Sequence, residues 1–572
     1  MRYRDALAAF HASLGYGLRT RLARGYSRSD LRADLMAGLV VGVVALPLSM
    51  ALAIASGVPP QLGLYTAIVA GVVCALLGGT QFQITGPTAA FVVILLPVVR
   101  DFGVGGLLLA GLMAGVMQVG MGLAKLGRLM TFIPHPVTTG FTTGIALVIA
   151  TIQIKDVLGL ELTGSPESFF DRLAMMWSAR GSASLWEIAI AAFTMAVLVG
   201  MPRLTRAVPA PLVALAAAAG LAALLGHWID GFEVVTIGSR YGGIPQEAPL
   251  PLLPWNLPGP GGGELAIDFA TVRALLPSAF AIAMLGAIES LLAAVVGDTM
   301  AGTKHEPNSE LVAVGIGNIL CPFFGGIPAT GALARTATNI NAGAQSPFAA
   351  VIHALFVLTC TLALAPLVGY LPMAAMGALL LLVARNMSEA RHFGHLLRVA
   401  PRSDVIVLVT CFGLTVLFDM VIAVTVGVVL AALLFMRRMA EITNTRMETT
   451  AFGQFELPPG VRLIEIAGPL FFGATQKAVS LLEQVQPQRG GTVVLELSRV
   501  PVMDATGLVA LETILGKLKR TGQKVILAGV NPQPAELLAR AQIKRTPGQL
   551  AYAPDLDTAL SMAIVHSARG PA

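Results

Sequence analysis

Thr85-Gly86-Pro87-Thr88-Ala89-Ala90 and Thr330-Gly331-Ala332-Leu333-Ala334-Arg335-Thr336 interrupt otherwise apolar sequence at corresponding places in the two halves of a long hydrophobic region. Gly and Pro stop a membrane helix part-way. A helix that begins inside the bilayer turns its unpaired N–H groups and the positive end of its dipole toward the midplane. An anion is the natural occupant of such a place.

Working outward, the surrounding sequence is that of a polytopic membrane protein. Of its 572 residues 55% are hydrophobic and 12% charged, with a mean hydropathy of +0.76. From Leu35 through Val99 there is no Asp, Glu, Lys, Arg or His, and roughly 20 apolar residues cross a bilayer, so about three spans fit there. Further runs follow at Phe102–Ala124, Thr138–Ile154, Ala207–Trp228 and Val405–Phe418. A basic segment precedes the first run and no small-residue cleavage site closes it, which argues against a cleaved signal peptide. The formal charge of +6 is spread over short loops, which fits the positive-inside rule and not nucleic-acid binding. Arg19 to Arg32, Lys125 and Arg128, Arg203 and Arg206, Arg385 to Arg402, and Arg437 and Arg438 then mark the inner face, with both termini cytoplasmic. Cys74, Cys321, Cys360 and Cys411 lie in apolar stretches without metal or disulfide spacing. No Walker-type loop and no nucleophile or metal constellation stands out, so an enzyme or a cofactor protein is not expected.

The sequence divides into a basic segment (1–33), a membrane region (34–438), a linker (439–458) and a soluble domain (459–572). The membrane region is expected to hold fourteen segments in two inverted halves of seven, some too short to span, joined by the Gly/Pro-rich loop around 227–271 (Leu257 to Gly263). In the soluble part, Val461–Ile466, Thr492–Leu497 and Lys524–Val530 read as strands. Leu508, Leu511, Leu515 and Leu518 read as one helix face, which together predict an α/β domain.

Together the motifs Pro59-Pro60-Gln61-Leu62-Gly63-Leu64-Tyr65, Ile84 to Ala90 and 330–336, followed by an α/β domain of this pattern, resemble the SulP family of anion permeases with a carboxy-terminal STAS domain. Within the family the match looks nearest to the DauA type of bacterial C4-dicarboxylate permease, on Gly42–Gly57, Met284–Leu292, Gly302-Thr303-Lys304-His305, Asn308–Val312, Asn386–Ala390 and Leu414–Ala423. The resemblance implies a core domain moving against a gate domain in a bacterial cytoplasmic membrane. It also implies a homodimer, cytosolic partners for the STAS domain, and a substrate among sulfate, bicarbonate, chloride and dicarboxylates.

On this reading the substrate-binding candidates are Ser49, Thr85, Gly86, Pro87, Thr88 and Ala89 from the first half and Thr330, Gly331, Ala332, Leu333, Ala334 and Arg335 from the second. The backbone N–H groups of Gly86–Ala90 and Gly331–Arg335 are weighted above any hydroxyl, since a Thr in a membrane helix often bonds its own preceding turn. Ala332 and Ala334 stand where some relatives carry Ser. Glu289 lies in an apolar stretch, where an ionised carboxylate costs several kcal/mol unless paired or hydrated. It is read as the proton-coupling group, with an ion pair to Arg335 or a capping role as the bland alternative. Arg335 suits a carboxylate or other anion through two hydrogen bonds, or else it braces Glu289. Lys155 and Asp156 read as an external gate or as a helix boundary, and Asp419 as a turn residue. In Met503-Asp504-Ala505-Thr506-Gly507-Leu508, Ala505 replaces the phosphoacceptor serine of stand-alone STAS proteins; Thr506 is the remaining hydroxyl, or Asp504 merely caps a helix. The expected function is proton-coupled uptake of C4-dicarboxylates such as succinate. An inorganic-anion symporter or exchanger, and an anion sensor signalling through the STAS domain, are the alternatives.

Overall fold

The computed structural model describes residues 14–568 except 131–133, 163, 165–167, 205–208, 260–262, 264, 266, 419, 443, 449–450, 453–454, 458–459 and 471–490. Asp419, Arg206 and the Pro260–Gly262 part of the central loop therefore lie outside the described residues. The chain divides into two compact units, residues 1–428 and 429–572.

In the first unit, α1 (Tyr16–Ala23) precedes α2 (Arg28–Ala55), α3 (Pro60–Leu77), the two-residue strand β1 (Thr85–Gly86) and α4 (Ala89–Leu123). Then come α5 (His135–Leu158), α6 (Phe169–Ser178), α7 (Leu185–Leu204), α8 (Ala210–Trp228) and the short α9 (Ile237–Tyr241). The second half holds α10 (Phe269–Ala301), α11 (Pro307–Leu320), β2 (Thr330–Gly331), α12 (Leu333–Asn341), α13 (Phe348–Val368), α14 (Met373–Met387), α15 (Ala390–Val399), α16 (Arg402–Leu417) and α17 (Met420–Ile442), the last of which crosses the division between the units. Eight of the described helices are long and apolar enough to cross a membrane.

Local chemistry sets the ends. Ser27 and Asp30 form a reciprocal capping box at the start of α2. Asp268 caps α10 through the Thr271 N–H at 2.7 Å, and Gly302 in the left-handed region closes it. One continuous helix, α4, hides two segments, because Gly103 breaks it with φ 69° and ψ −174°. A Cβ at Gly103 would sit 2.5 Å from the backbone of Gly259, so the central loop closes on the break, and the Gly105 N–H donates to the Pro258 carbonyl at 3.0 Å. Counting α4 as two, seven segments (α2, α3, α4, α5, α7, α8) precede the central loop. Seven more (α10, α11, α12, α13, α14, α16, α17) follow it, α12 with only 9 residues among them.

The helices form two bundles. One packs α2, α3, α4, α10, α11, α12 and α13 against each other; the other packs α5, α7, α8, α14 and α16. The first is held by close backbone approaches: a Cβ at Gly115 would meet the Gly315 carbonyl at 2.6 Å, and one at Gly38 would meet the Ala349 carbonyl at 2.6 Å. Where the bundles meet, α2 touches α14 and α8, and α4 touches α5.

The second unit carries a five-stranded sheet in the order β3 (Asn444–Glu448), β4 (Val461–Ala467), β5 (Thr492–Glu496), β6 (Lys524–Ala528) and β7 (Leu550–Ala553). β3 is antiparallel to β4 and the remaining pairs are parallel. Parallel neighbours need crossovers, supplied by α18 (Ala505–Arg520) and α19 (Pro532–Arg540), with α20 (Leu556–Ala568) last. Strand alternation sends Val493, Leu495, Val525 and Leu527 to the face covered by Leu511, Ile514, Leu518 and Leu538. Val494 and Ile526 turn to the opposite face, against Ala559 and Ala563.

Asp504 is the N-cap of α18, its carboxylate accepting from the Gly507 N–H at 2.8 Å, and Thr506 is exposed. Asp504→Ala is expected to destabilise this helix by about 1 kcal/mol, read as faster hydrogen exchange at the α18 amides of the full chain. Unchanged exchange would show the cap to be dispensable.

Candidate substrate site between the two interrupted segments

β1 and β2 pair antiparallel, Thr85 opposite Gly331 and Gly86 opposite Thr330. Each strand is short because Pro87 offers no N–H and each chain turns at once into a helix. The Ala332 N–H extends the pairing to the Ile84 carbonyl at 2.8 Å. α4 then begins at Ala89 and α12 at Leu333, and neither N-cap, Thr88 or Ala332, closes its own helix with a side chain. Their first-turn N–H groups therefore lack side-chain partners and keep the dipole exposed.

Both helix starts line one cavity of about 280 Å³, walled by Pro87 to Ala90 from the first half and by Gly331 to Arg335 from the second. Glu289 of α10 lies on the same wall, and its Oε2 accepts from the Thr88 hydroxyl at 2.9 Å. Arg335, 2% exposed, donates through Nη2 to the Pro87 carbonyl, which ties the second half to the first. Its Nε and Nη1 have no hydrogen-bond partner among the described residues. Gly86 is small because the guanidinium lies over it: a Cβ there would be 2.8 Å from Nη1. A cation in the first turn of a helix opposes the helix dipole, so Arg335 is held where it weakens α12 and strengthens the field for an anion. No ion pair joins it to Glu289 among the described residues; Glu289 is held by Thr88 and Arg335 by Pro87.

Of the residues singled out in the sequence, Pro87, Thr88, Ala89, Glu289, Gly331, Ala332, Leu333, Ala334 and Arg335 meet at this cavity. Thr330 lies behind it, its hydroxyl 2.9 Å from Ser290 Oγ and donating to the Gly286 carbonyl at 3.0 Å. Thr85 and Gly86 form the strand pair behind the cavity. Ser49 is fully buried, away from the cavity lining, with no partner for its hydroxyl among the described residues.

Several contributors escaped the sequence reading. The second bundle supplies Thr142, Val383, Asn386 and Met387, with Glu389 at the exposed end. Their separation in sequence from the interruptions hides them. Ser290 holds the Gly331 N–H at 2.9 Å. Thr336, which the second interruption already contains and which offers a hydroxyl there, is not among the residues lining the cavity and accepts from the Ile84 N–H at 3.1 Å. Glu310, 1% exposed, accepts from the N–H groups of Gly79 and Thr80 at 2.8 and 3.1 Å and from Gln83 Nε2 at 2.7 Å. Three donors satisfy that carboxylate, which makes it the anchor of the loop feeding β1. Glu310 follows Lys304, His305 and Glu306 closely in sequence, so it reads as part of a polar helix boundary and gives no signal of its own. Farther along, Asp156 pairs with Lys155 at 3.6 Å and with Arg240 at 3.1 Å; Arg240, on α9, had no sequence signal at all.

Residues 31–411 match the Sulfate permease family and residues 454–559 match the STAS domain. The chain is similar to "Putative sulfate transporter YvdB" of Bacillus subtilis (strain 168), 42% identical over 85% of this chain and 89% of that one. It is also similar to the bicarbonate transporter BicA of a Picosynechococcus species, 28% identical over 86% and 88%. Among solved structures, that of SLC26A9 shares the fold, with a TM-score of 0.83 at 18% identity over 99% of this chain and 95% of that one. The transmembrane domain of a cyanobacterial BicA aligns with a TM-score of 0.59 at 28% identity over 71% of this chain and 98% of that one. The two uncapped helix starts thus belong to a transporter fold, and the chain is an anion transporter of the sulfate permease family with a carboxy-terminal STAS domain.

Proposed function

We propose that the protein is a proton-coupled importer of small dianions, C4-dicarboxylates such as succinate first among them, in a bacterial inner membrane with both termini cytoplasmic. The observation that carries this reading is Glu289 bonded to Thr88, the residue that opens α4, inside the cavity to which α4 and α12 present their uncapped starts. An ionised Glu289 repels an arriving anion from that field. A protonated Glu289 does not, so proton and anion binding support each other, and by linkage each raises the affinity of the other equally. Arg335 and the two helix starts supply the counter-charge, and Thr88 supplies a hydroxyl.

The choice of an organic dianion follows from the walls. Leu48, Leu52, Leu292, Leu333 and Val383 face the cavity, and Ala332 and Ala334 offer no hydroxyls. A strongly hydrated inorganic anion loses more on entering such a wall than an anion whose charges are joined by hydrocarbon. The cavity ends toward Asn386 and Glu389 beside α15, whose Arg391 and Arg398 fit the inner side. The site is accordingly read as inward-facing, in a homodimer whose STAS domains are available to cytosolic partners.

A second reading, sulfate or bicarbonate as cargo, is favoured by the names of the relatives. Proteoliposomes given labelled succinate, sulfate and bicarbonate separate the two. Succinate uptake that is saturable, driven by an inward proton gradient and unaffected by excess sulfate is the expected result. Uptake of sulfate or bicarbonate with none of succinate would sink the dicarboxylate reading.

A further inference from the structure

Beyond the cavity just described, a second and larger pocket of about 720 Å³ opens between the same two bundles, lined in part by Lys155 and Asp156. It shares two walls with the first. On α4 the cavity uses Ala89 and Ala90 and the pocket uses Leu96 and Arg100; on α2 the cavity uses Leu52 and the pocket uses Ile54. At 1.5 Å per residue the two chambers are on the order of 10 Å apart along α4. The pocket lies toward the end of the bundles opposite to α15.

Its charged lining is mostly cationic: Arg100 on α4, Lys155 on α5, Arg172 on α6 and Arg240 on α9, with Asp156 the one acidic residue among the described residues of the lining. Arg100 is matched by Asp101, at 2.7 Å from Nε and 3.2 Å from Nη2. Asp156 is shared by Lys155 at 3.6 Å and Arg240 at 3.1 Å, and Arg172, half-buried, has no carboxylate partner among the described residues. Burial, and after it the charge of Arg100, lowers the Arg172 pKa from its ordinary value. Among the described residues the lining carries more cations than carboxylates.

We propose that this pocket is an anion-docking vestibule on the outer face, where a small oxyanion is taken from solution by Arg172, Arg240 and Lys155 before it reaches the Glu289 cavity. A cleft lined by one sign of charge concentrates the opposite ion, and guanidinium groups match carboxylate and sulfate oxygens through paired N–H donors. Asp156 is the internal competitor: the arriving anion displaces it from Arg240 and Lys155. Because Arg100 belongs to one bundle and Lys155 and Asp156 to the other, with α6 and its Arg172 touching α5 and α16 of the latter, the exchange takes place at the seam that alternating access must open. The proposal rests on the N-inside orientation given above but not on the identity of the cargo or on proton coupling.

Initial uptake rates from the outer face, measured on the full-length protein with whichever of succinate, sulfate or bicarbonate it transports, test the vestibule. At low ionic strength Arg172→Gln and Arg240→Gln should each raise KM about threefold or more. Asp156→Asn should lower KM by about as much, Arg172→Lys should stay near the parent, and the differences should shrink in high salt as the Debye length falls to about 3 Å at 1 M. Opposite signs for Arg172→Gln and Asp156→Asn are what a purely structural role cannot produce, since misfolding lowers the maximal rate in both. KM unchanged in both, shifted the same way in both, or shifted only for export overturns the proposal. A failed proton drive or a different cargo leaves this comparison readable.

Discussion

Glu289→Gln is expected to abolish accumulation driven by a pH gradient while leaving anion exchange measurable. A proton moved with each anion can sustain about a tenfold concentration ratio per pH unit, so a gradient of two units should give accumulation of up to about 100-fold in the parent and none in the variant. The substitution is nearly isosteric, and the Gln side-chain oxygen can still accept from Thr88, whose hydroxyl lies 2.9 Å from Glu289 Oε2. What it removes is the charge that excludes an anion from the cavity when ionised and admits it when protonated. Counterflow, in which labelled and unlabelled anion exchange without a gradient, needs only the helix starts and Arg335 and should continue. Proteoliposomes with imposed pH gradients measure both quantities in one preparation. Parent-like accumulation in the variant would remove Glu289 from the coupling role and return it to that of a partner for Thr88.

The second large effect is expected at Arg335. Its Nη2 holds the Pro87 carbonyl while Nε and Nη1 are without partners among the described residues, so the side chain both joins the two halves and keeps donors in reserve. A hydrogen bond to a charged group contributes about 1.5–3 kcal/mol. Arg335→Gln should therefore weaken anion affinity by roughly 10- to 150-fold. Arg335→Lys keeps the charge, though not the fork that reaches Pro87 while presenting further N–H groups, and should fall between. Isothermal titration with the transported anion reads the affinity, and thermal unfolding without anion separates lost binding from a loosened strand pair. Parent-like affinity in Arg335→Gln would reduce Arg335 to a brace.

The same two residues show how far sequence carries. A carboxylate and a guanidinium in apolar sequence are conspicuous because their desolvation is expensive, and the interruptions at 85–90 and 330–336 are conspicuous because Gly and Pro break helices. Neither signal tells which partner a charge chooses. The possible Glu289–Arg335 ion pair is resolved in space into two separate contacts, Glu289 with Thr88 and Arg335 with Pro87. Thr330 illustrates the converse, for its hydroxyl is bonded to Ser290 and Gly286 behind the cavity. The apolar runs divide beside Gly103, at Arg100 and Asp101, whereas the form of the break, a left-handed backbone approached by Gly259, depends on the tertiary structure.

By itself the sequence determined the membrane class, the paired interruptions, the two halves and the α/β character of the soluble domain, because hydropathy, periodicity and helix-breaking residues act locally along the chain. Tertiary structure alone decided that β1 and β2 pair, that α4 and α12 open on one cavity with Glu289 at its side, that α5 and α14 complete the wall, and that Asp156 reaches Arg240 across 84 positions of sequence. Those are encounters between distant segments. Their geometry is fixed by close packing and by the pairing of most of the polar groups that apolar surroundings enclose.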